Sequence, residues 1–193
     1  MTDPVQDPKS LARRELRRLV AAISPEEKAR SSSAMCQHLR DLPLWRNAGC
    51  VLAFCPLPDE PDLKPVLAEA FAAGRTLGFP RFDAACGAYE VRLVRGWQEL
   101  EPGRFGALEP NACCPRLLAN QLDFALVPGI GFSLDGDRLG RGKGYYDRLL
   151  AGIAGFKCGA AFDCQLVARL PAESHDIRLN GILTPTRWQL IQR

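Results

Sequence analysis

The richest set of residues able to do chemistry lies between positions 128 and 148. In its second half glycines alternate with cations, in the order Gly140, Arg141, Gly142, Lys143, Gly144. Glycines at this spacing let the backbone curve so that its amide groups point inward, and the helix that follows begins with the positive end of its dipole there. Together with Arg138, these residues predict a cradle for an anion such as a polyphosphate.

Two common phosphate-binding patterns do not fit this segment. A P-loop would need glycine in place of Asp137 and serine or threonine in place of Gly144, and a dinucleotide-binding fingerprint would need glycine or alanine near Tyr145. Tyr145, Tyr146 and Asp147 instead follow the cations directly. Two aromatic surfaces and a carboxylate beside cations are typical of a site for a flat ring, phosphates and Mg²⁺. The alternative is a surface loop with solvated cations.

Two helices are predicted before this segment. Apolar residues between Lys9 and Ile23 fall on one helical stripe while basic residues occupy the other faces, which predicts a basic amphipathic helix. Ser24 then reads as the N-cap of a second helix, with proline next and Glu27 completing a capping box. This helix is expected to end near Leu39.

Strands and helices alternate through the rest of the chain. A continuous apolar run over 50–55 is typical of a buried parallel strand. Further strands are predicted over 76–79, 89–94, 124–128, 157–161 and 181–184, and helices over 64–73 and 145–151. The order predicts a single three-layer α/β/α domain, residues 1–193, with a mainly parallel sheet. Because such sheets bind ligands at the carboxyl ends of their strands, the loops after Phe54 and Val127 are the expected site.

Composition excludes several classes of protein. The 193 residues are 47% hydrophobic and 24% charged, which excludes a disordered chain. The 25 basic and 22 acidic residues are interspersed over most of the chain, so no nucleic-acid groove is expected. No apolar run reaches the ~20 residues of a membrane span, and no signal peptide is recognisable, so a cytoplasmic protein is expected. The 8 cysteines lack paired zinc-site spacing and are expected to be mostly reduced core thiols.

The chain resembles the 5-formyltetrahydrofolate cyclo-ligases, also called 5,10-methenyltetrahydrofolate synthetases. The resemblance covers nearly the whole sequence and is carried by these stretches: Val127-Pro128-Gly129, Asp135-Gly136, the run 138–148, Lys9 to Arg13, Asp59-Glu60, Ala161 to Gln165, and His175-Asp176. It implies ATP-dependent closure of 5-formyltetrahydrofolate to 5,10-methenyltetrahydrofolate, with release of ADP and phosphate. Phosphoryl transfer of this kind demands mostly positioning and charge neutralisation.

The resemblance also assigns roles to residues. Those implied to contact ATP are Lys9, Arg13, Arg138, Leu139, Gly140, Arg141, Gly142, Lys143, Gly144, Tyr145 and Tyr146. Those implied to contact the folate are Cys55, Glu60, Arg141, Gly142, Lys143, Gly144 and Tyr145. Catalysis is expected to depend on Arg141, Lys143 and Tyr145, and Mg²⁺ on Asp147 and Asp176. The expected partners are the folate and ATP alone, with no nucleic acid and no membrane, and the expected state is a monomer.

Simpler interpretations remain open for the single residues. Lys9 and Arg13 would be a solvated helix face, Glu60 a loop carboxylate, Asp147 a helix cap and Asp176 part of an ordinary turn. Packing roles are expected for His38, His175, Trp45, Trp97 and Trp188. Two other functions are weighed: a catalytically silent relative that only binds a nucleotide, and a different small ATP-dependent kinase or ligase. Carboxylates at 60, 147 and 176 favour the catalytic alternative.

Overall fold

Five α-helices are present in the computed structural model, which describes residues 7–173 and 175–192. They are α1 (Pro8–Ala21), α2 (Pro25–Asp41), α3 (Pro43–Asn47), α4 (Lys64–Ala72) and α5 (Tyr145–Ala151). Ser24 caps α2 as predicted, since its Oγ accepts from the Glu27 backbone N–H at 3.1 Å. The Glu27 carboxylate pairs with Arg30. Residues 1–6, 174 and 193, which the single-domain prediction includes, lie outside the described residues.

Thirteen strands occur in the same described ranges. They are β1 (Cys50–Leu52), β2 (Thr76–Asp83), β3 (Ala88–Val94), β4 (Leu100–Pro102), β5 (Leu108–Pro110), β6 (Arg116–Leu117), β7 (Phe124–Val127), β8 (Gly131–Ser133), β9 (Arg138–Leu139), β10 (Phe156–Ala160), β11 (Leu166–Val167), β12 (Gly181–Leu183) and β13 (Trp188–Leu190). All six predicted strands are present. Strand β2 runs past the predicted end because it pairs with β3 along its whole length.

The main sheet has eight strands in the order β13-β12-β10-β7-β1-β2-β3-β6. The central strands β12, β10, β7, β1 and β2 are parallel, and β13, β3 and β6 are antiparallel additions at the two edges. The unit β1-α4-β2 is the predicted parallel pair with a helical crossover. The chain passes from β1 to β2 on one side of the sheet and from β7 toward β10 on the other, so a crevice opens between the carboxyl ends of β1 and β7.

Both faces of this sheet are covered, which explains the continuous apolar runs in its strands. On β1, Val51 packs with α2, α3 and α4 on one face, while Leu52 packs with α5 on the other. On β7, Phe124 and Ala125 divide in the same way. The expected three-layer α/β architecture with a mainly parallel sheet is confirmed.

The second face carries a small sheet that the sequence did not predict. Strands β11, β8 and β9 form it, and two of them lie inside the segment 128–148 that was expected to be an irregular loop. Helix α1 packs against it through Leu16, which contacts Ile130 and Leu139. The hairpin between β8 and β9 turns at Gly136, where φ is +89° and a side chain would be strained. The glycine-rich segment that begins at Gly140 therefore directly follows a paired strand, β9.

Several packing expectations also hold. Trp45 packs edge-on against Phe124, Trp97 against Phe71, and Trp188 near Phe156. All eight cysteines lie within the described residues and are free thiols, but the expectation of mostly core positions holds only for Cys36, Cys55, Cys114 and Cys158, since the other four are partly or fully exposed. None of the described helices has both the length and the apolar content that crossing a bilayer requires.

Candidate active site

A cavity of about 500 Å³ opens at the carboxyl ends of β1 and β7, where the sheet topology predicts a ligand. Every residue predicted to form the site lines it: Lys9, Arg13, Cys55, Glu60, Arg138, Leu139, Gly140, Arg141, Gly142, Lys143, Gly144, Tyr145, Tyr146, Asp147 and Asp176. These positions come from α1, the loop after β1, the segment after β9, the start of α5 and the loop before β12. The fold thus brings together residues that are far apart in the sequence.

The glycine-rich segment curves where it lines the cavity. Gly142 has φ +97° and Gly144 has φ +64°, a conformation that L side chains rarely adopt. A Cβ at Gly140 would lie 2.8 Å from the Arg138 guanidinium. Helix α1 stabilises the turn, since Arg13 Nε donates to the Gly140 carbonyl at 2.9 Å. Glycine is favoured at 142 and 144 by the positive φ angle, and at 140 by the close approach of the Arg138 side chain.

Arg141 joins this segment to the loop after β1. Its Nη2 donates to Asp59 Oδ1 at 2.6 Å and to Glu60 Oε1 at 3.0 Å. The other Glu60 oxygen accepts from the Leu57 backbone N–H at 3.0 Å, and the Glu60 side chain is only 6% exposed. Burial raises the pKa of Glu60, although Leu57 and Arg141 act in the opposite direction. Glu60 is therefore a buried acceptor facing the cavity.

Arg138 is fixed beneath the start of α5. Its side chain is 4% exposed, its Nη2 donates to Asp147 Oδ1 at 2.8 Å, and its guanidinium lies 5.5 Å from the Tyr146 ring centre. Nη1 donates to the Pro128 carbonyl at 3.3 Å, whereas buried Nε has no hydrogen-bond partner among the described residues. Burial raises the pKa of Tyr146 well above its usual value. Asp147 thus neutralises a buried cation, a role beyond the cap considered from sequence.

A second cluster of charged side chains, Lys9, Glu173 and Asp176, also lines the cavity. Lys9 Nζ contacts Asp176 Oδ2 at 2.7 Å and Glu173 Oε2 at 3.3 Å. Burial alone would raise the pKa of Asp176, but the bond from Lys9 and the Glu173 backbone hold it below its ordinary value. The ligand atoms of Glu173, His175 and Asp176 all lie within 4.8 Å of one another. His175, expected to pack, is instead mostly exposed at the rim of the cavity.

An aromatic wall, formed by Phe82, Tyr89, Phe105 and Tyr145, closes another side. The Tyr145 ring centre lies 5.0 Å from that of Phe82, 5.5 Å from Phe105 and 5.9 Å from Tyr89. Burial raises the pKa of Tyr89 to about 12, so its hydroxyl stays protonated. Sequence reasoning missed Tyr89 and Phe105. Tyr89 looked like an ordinary position on a half-exposed strand, and Phe105 had no pattern to mark it.

Two further predicted residues differ in what they can do. Lys143 is exposed and makes no hydrogen bond or ion pair with any described residue, so its ammonium group is available to a ligand. Cys55 is buried, and burial raises the pKa of its thiol to about 11. A thiol that stays protonated is a packing surface and not a nucleophile. Charge neutralisation and stacking are therefore the chemistry that this cavity supports.

Comparison with known proteins agrees with this chemistry. Residues 5–185 match the model of the 5-formyltetrahydrofolate cyclo-ligase family. The mouse 5-formyltetrahydrofolate cyclo-ligase is 28% identical over 89% of this chain and 90% of its own length, and that of Escherichia coli K12 is 29% identical over 87% and 96%.

Solved structures show the same likeness. The 5,10-methenyltetrahydrofolate synthetase of Aquifex aeolicus superposes with a TM-score of 0.87 at 32% identity, covering 97% of this chain and 94% of the other. The synthetase from Mycoplasma pneumoniae shares the fold, with a TM-score of 0.72 at 22% identity over 93% and 99%. With its sequence, fold and cavity in agreement, the chain belongs to the 5-formyltetrahydrofolate cyclo-ligase family.

Proposed function

We propose that this chain converts 5-formyltetrahydrofolate and ATP to 5,10-methenyltetrahydrofolate, ADP and phosphate. The formyl oxygen attacks the γ-phosphorus, and the bond from that phosphorus to the ADP oxygen breaks. Folate N10 then adds to the formyl carbon, the carbon–oxygen bond breaks, and phosphate leaves with the proton that N10 loses. Family membership makes the chain an ATP-dependent ligase of folate one-carbon metabolism, and the roles below are our proposals for its residues.

The observation that carries the proposal is the Arg141–Glu60 ion pair. It joins a cation of the glycine-rich segment to a buried carboxylate on the facing loop, so that a phosphate site and a ring site share one cavity. Transfer of a phosphoryl group to a formyl oxygen requires the two substrates side by side. Positioning two reactants in this way supplies much of the acceleration expected of such an enzyme.

The cations would bind ATP and neutralise charge on the transferred phosphoryl group. Lys143 has no partner among the described residues that ATP would have to displace, and Arg141 lines the cavity and is held there by Asp59 and Glu60. Lys9 and Arg13 approach from α1, with side chains 15% and 18% exposed, which supports a role in the cavity and not on a solvated face. Backbone amides of the segment 139–146 would complete the anion cradle.

The folate would lie against Glu60 and the aromatic wall. A buried carboxylate accepts hydrogen bonds from the N–H groups along the edge of a pterin, and Arg141 keeps that carboxylate oriented. Tyr145 offers a ring surface for stacking, with its contacts to Phe82 and Phe105 fixing its plane. Cys55 would line the same part of the cavity as an apolar surface.

Asp147 and Asp176 each have one carboxylate oxygen bound to a cation and a second oxygen that would be available to Mg²⁺. Asp147 uses Oδ1 for Arg138, and Asp176 uses Oδ2 for Lys9. Among the described residues, Asp147 Oδ2 makes no hydrogen bond, and Asp176 Oδ1 lies 3.8 Å from His175 Nε2, which is a cation only when it is protonated. Magnesium is usually held by one or two carboxylates together with substrate phosphates, so these two residues are the proposed ligands. When bound, Mg²⁺ would offset negative charge on the ATP phosphates.

The remaining proposals concern the chain as a whole. We propose that residues 1–193 act as one domain, because the main sheet takes strands from β1 to β13 in a single order. We also propose a cytoplasmic monomer whose partners are its two substrates. The interspersed charges, with a net of +3, support the absence of a nucleic-acid partner.

A direct assay tests the function. The purified chain is mixed with 5-formyltetrahydrofolate, ATP and Mg²⁺, and the near-ultraviolet absorbance of the methenyl product is followed together with ADP. Equal amounts of product and ADP are expected, with neither formed when ATP or folate is left out. Binding of ATP without product would indicate the catalytically silent relative, and ADP release independent of folate would indicate another kinase or ligase.

A further inference from the structure

One of the carboxylates that line the cavity is not paired with a cation. Among the described residues six carboxylates line it, and five have a basic nitrogen within 3.9 Å: Asp7, Glu60, Asp147, Glu173 and Asp176. The sixth, Glu109 on β5, forms no ion pair with any residue that the structure describes and is only 6% exposed. Burying a carboxylate without a neutralising cation is costly, so Glu109 calls for a reason.

A backbone hydrogen bond fixes Glu109 at the aromatic wall. Its Oε2 accepts from the Phe82 N–H at 3.0 Å, and the ring centre of the same Phe82 lies 5.0 Å from that of Tyr145. Tyr89 pairs with Phe82 across β2 and β3, and the Glu109 carboxylate adds to the effect of burial in raising the pKa of the Tyr89 hydroxyl. Oε1 accepts no hydrogen bond from any residue within 7–173 and 175–192. Glu109 therefore offers one oriented oxygen beside the rings.

The other groups of the cavity are less suited to accept a proton. Burial raises the pKa of the Cys55 thiol to about 11 and that of the Tyr89 hydroxyl to about 12, so both stay protonated. His175 is mostly exposed at the rim and contacts Asp176 at 3.8 Å, in the cluster proposed for ATP and Mg²⁺. A carboxylate paired with a cation is a weaker base than one without such a partner. These comparisons leave Glu109 as the best proton acceptor in the cavity.

The proposed reaction needs a proton acceptor in its second step. When folate N10 adds to the activated formyl carbon, N10 must lose its proton, and the phosphate that leaves the same carbon must gain one. Because N10 and the departing oxygen are bonded to one carbon at that moment, a single carboxylate can reach both. A side chain positioned for such a transfer contributes ~10²–10⁴-fold to the rate.

We propose that Glu109 is the general base of ring closure. Its Oε1 takes the proton from N10 as the bond from N10 to the formyl carbon forms. The same oxygen then gives that proton to the phosphate oxygen as the carbon–oxygen bond breaks, so Glu109 is unchanged at the end and phosphate leaves with the proton.

This inference rests on the proposed function, which places the pterin against Glu60 and the aromatic wall. N10 joins the pterin to the benzoyl ring of the folate. A ring system that lies along the wall therefore brings N10 to the part of the wall where the Phe82 backbone holds Glu109. The role is catalytic, because Oε1 would touch a reacting atom.

The test times ring closure separately from phosphoryl transfer. In a single turnover of Mg²⁺, ATP and 5-formyltetrahydrofolate with the chain in excess, ADP reports the first step, and the near-ultraviolet absorbance of the methenyl product reports the second. Glu109→Gln keeps the shape of the side chain and an oxygen for the Phe82 N–H, but its amide cannot take a proton. ADP should form as fast as with the unmodified chain, whereas methenyl formation should slow by ~10²-fold or more. The Kd of the folate, measured by calorimetry without ATP, should not change.

A second variant gives an independent readout, and a third is the control. Formate is a small carboxylate that can enter the space left by Glu109→Ala, so added formate should raise the rate of ring closure in that variant. It should not do so in Glu109→Gln, where the amide fills the space. Glu101→Gln is the matched control, because Glu101 lies directly opposite Glu109 in the β4–β5 pair, is half exposed and bonds Arg81. Both of its rates should equal those of the unmodified chain.

Three outcomes would overturn the proposal. They are normal ring closure in Glu109→Gln, no effect of formate on Glu109→Ala, and equal slowing of ADP and methenyl formation with a weaker Kd for the folate. The last pattern would show that Glu109 only supports the aromatic wall. The unmodified chain tests the proposed function itself: if it forms the methenyl product and Glu109→Gln is as fast, only the role of Glu109 is wrong, whereas if it forms no product both proposals fail.

Discussion

Arg141 donates from Nη2 to Glu60 Oε1 at 3.0 Å, although the two residues are 81 positions apart in the chain. The same nitrogen bonds Asp59, so one guanidinium fastens the glycine-rich segment to the loop after β1. This relationship fixes the glycine-rich segment relative to the loop after β1, and with it the proposed ATP side of the cavity relative to the proposed folate side. Removing either partner therefore has consequences for the other.

Lys143→Ala is expected to reduce turnover by ~10²-fold or more, because one electrostatic contact to developing phosphoryl charge is lost. The free energy of unfolding should change by no more than about 0.5 kcal/mol, since an exposed side chain without a partner in the described part of the chain contributes little. Steady-state kinetics and urea unfolding measure the two effects. Near-normal turnover would contradict the proposed cradle.

Arg141→Ala serves as the matched comparison for that variant. It should lose turnover to a similar extent but also cost about 1–3 kcal/mol of stability, because Glu60 is left buried without its cation. Stability equal to that of Lys143→Ala would mean that the ion pair is not formed in solution.

Glu60→Gln is expected to weaken folate binding by ~1.5–3 kcal/mol while ATP binding barely changes, because Asp59 still holds the Arg141 guanidinium. The amide keeps the shape of the side chain but replaces one acceptor with a donor toward the pterin edge. Separate titrations with each ligand give the two affinities. A comparable loss for ATP and folate would point to a general disturbance of the loop.

The raised pKa of Glu60 predicts a dependence of stability on pH. Between the ordinary value of 4.5 and the raised value in the folded protein, the folded state holds more protons than the unfolded state. The contribution of Glu60 to stability is therefore full below 4.5 and declines as pH rises through that window. Urea unfolding gives the free energy of unfolding of the unmodified chain and of Glu60→Gln at each pH. The value for the unmodified chain minus that for the variant should fall as the pH rises. A difference that stays constant or rises contradicts the raised pKa of Glu60.

Asp147→Asn tests the proposed magnesium ligand. The sequence alone suggested a loss under ~1 kcal/mol, as for a helix cap. Because Asp147 neutralises buried Arg138, a loss of about 1–3 kcal/mol is now expected. The Mg²⁺ concentration for half-maximal turnover should also rise at saturating ATP and folate. An unchanged magnesium requirement with lowered stability would leave Asp147 with Arg138 as its only partner.

The parts of the fold predicted from sequence are those with a local signal. The parallel strands β1 and β7 have continuous apolar runs because both faces are covered, and Ser24 marks the start of α2. Strands β8 and β9 have no such signal. They have only three and two residues, and β8 pairs on its other side with β11 from a later part of the chain, so the segment 128–148 looked like a loop.

The same distinction applies to the site. Arg141, Lys143 and Asp147 were predicted because unusual residue types are crowded into a short run. Tyr89 and Phe105 were not, since aromatic residues on strands and turns normally pack into a core. The antiparallel β2–β3 pair places Tyr89 opposite Phe82 in register, and Phe105, in the turn between β4 and β5, packs against both rings.

The ion pair of Lys9 with Asp176 spans 167 positions. During translation Lys9 is synthesised long before Asp176. Helix α1 therefore emerges from the ribosome long before the carboxylate that holds its lysine in the cavity. The cost of closing so long a loop is met only when most of the sheet has formed. The cavity is consequently completed late in folding, and a nascent chain cannot complete it until Asp176 has left the ribosome.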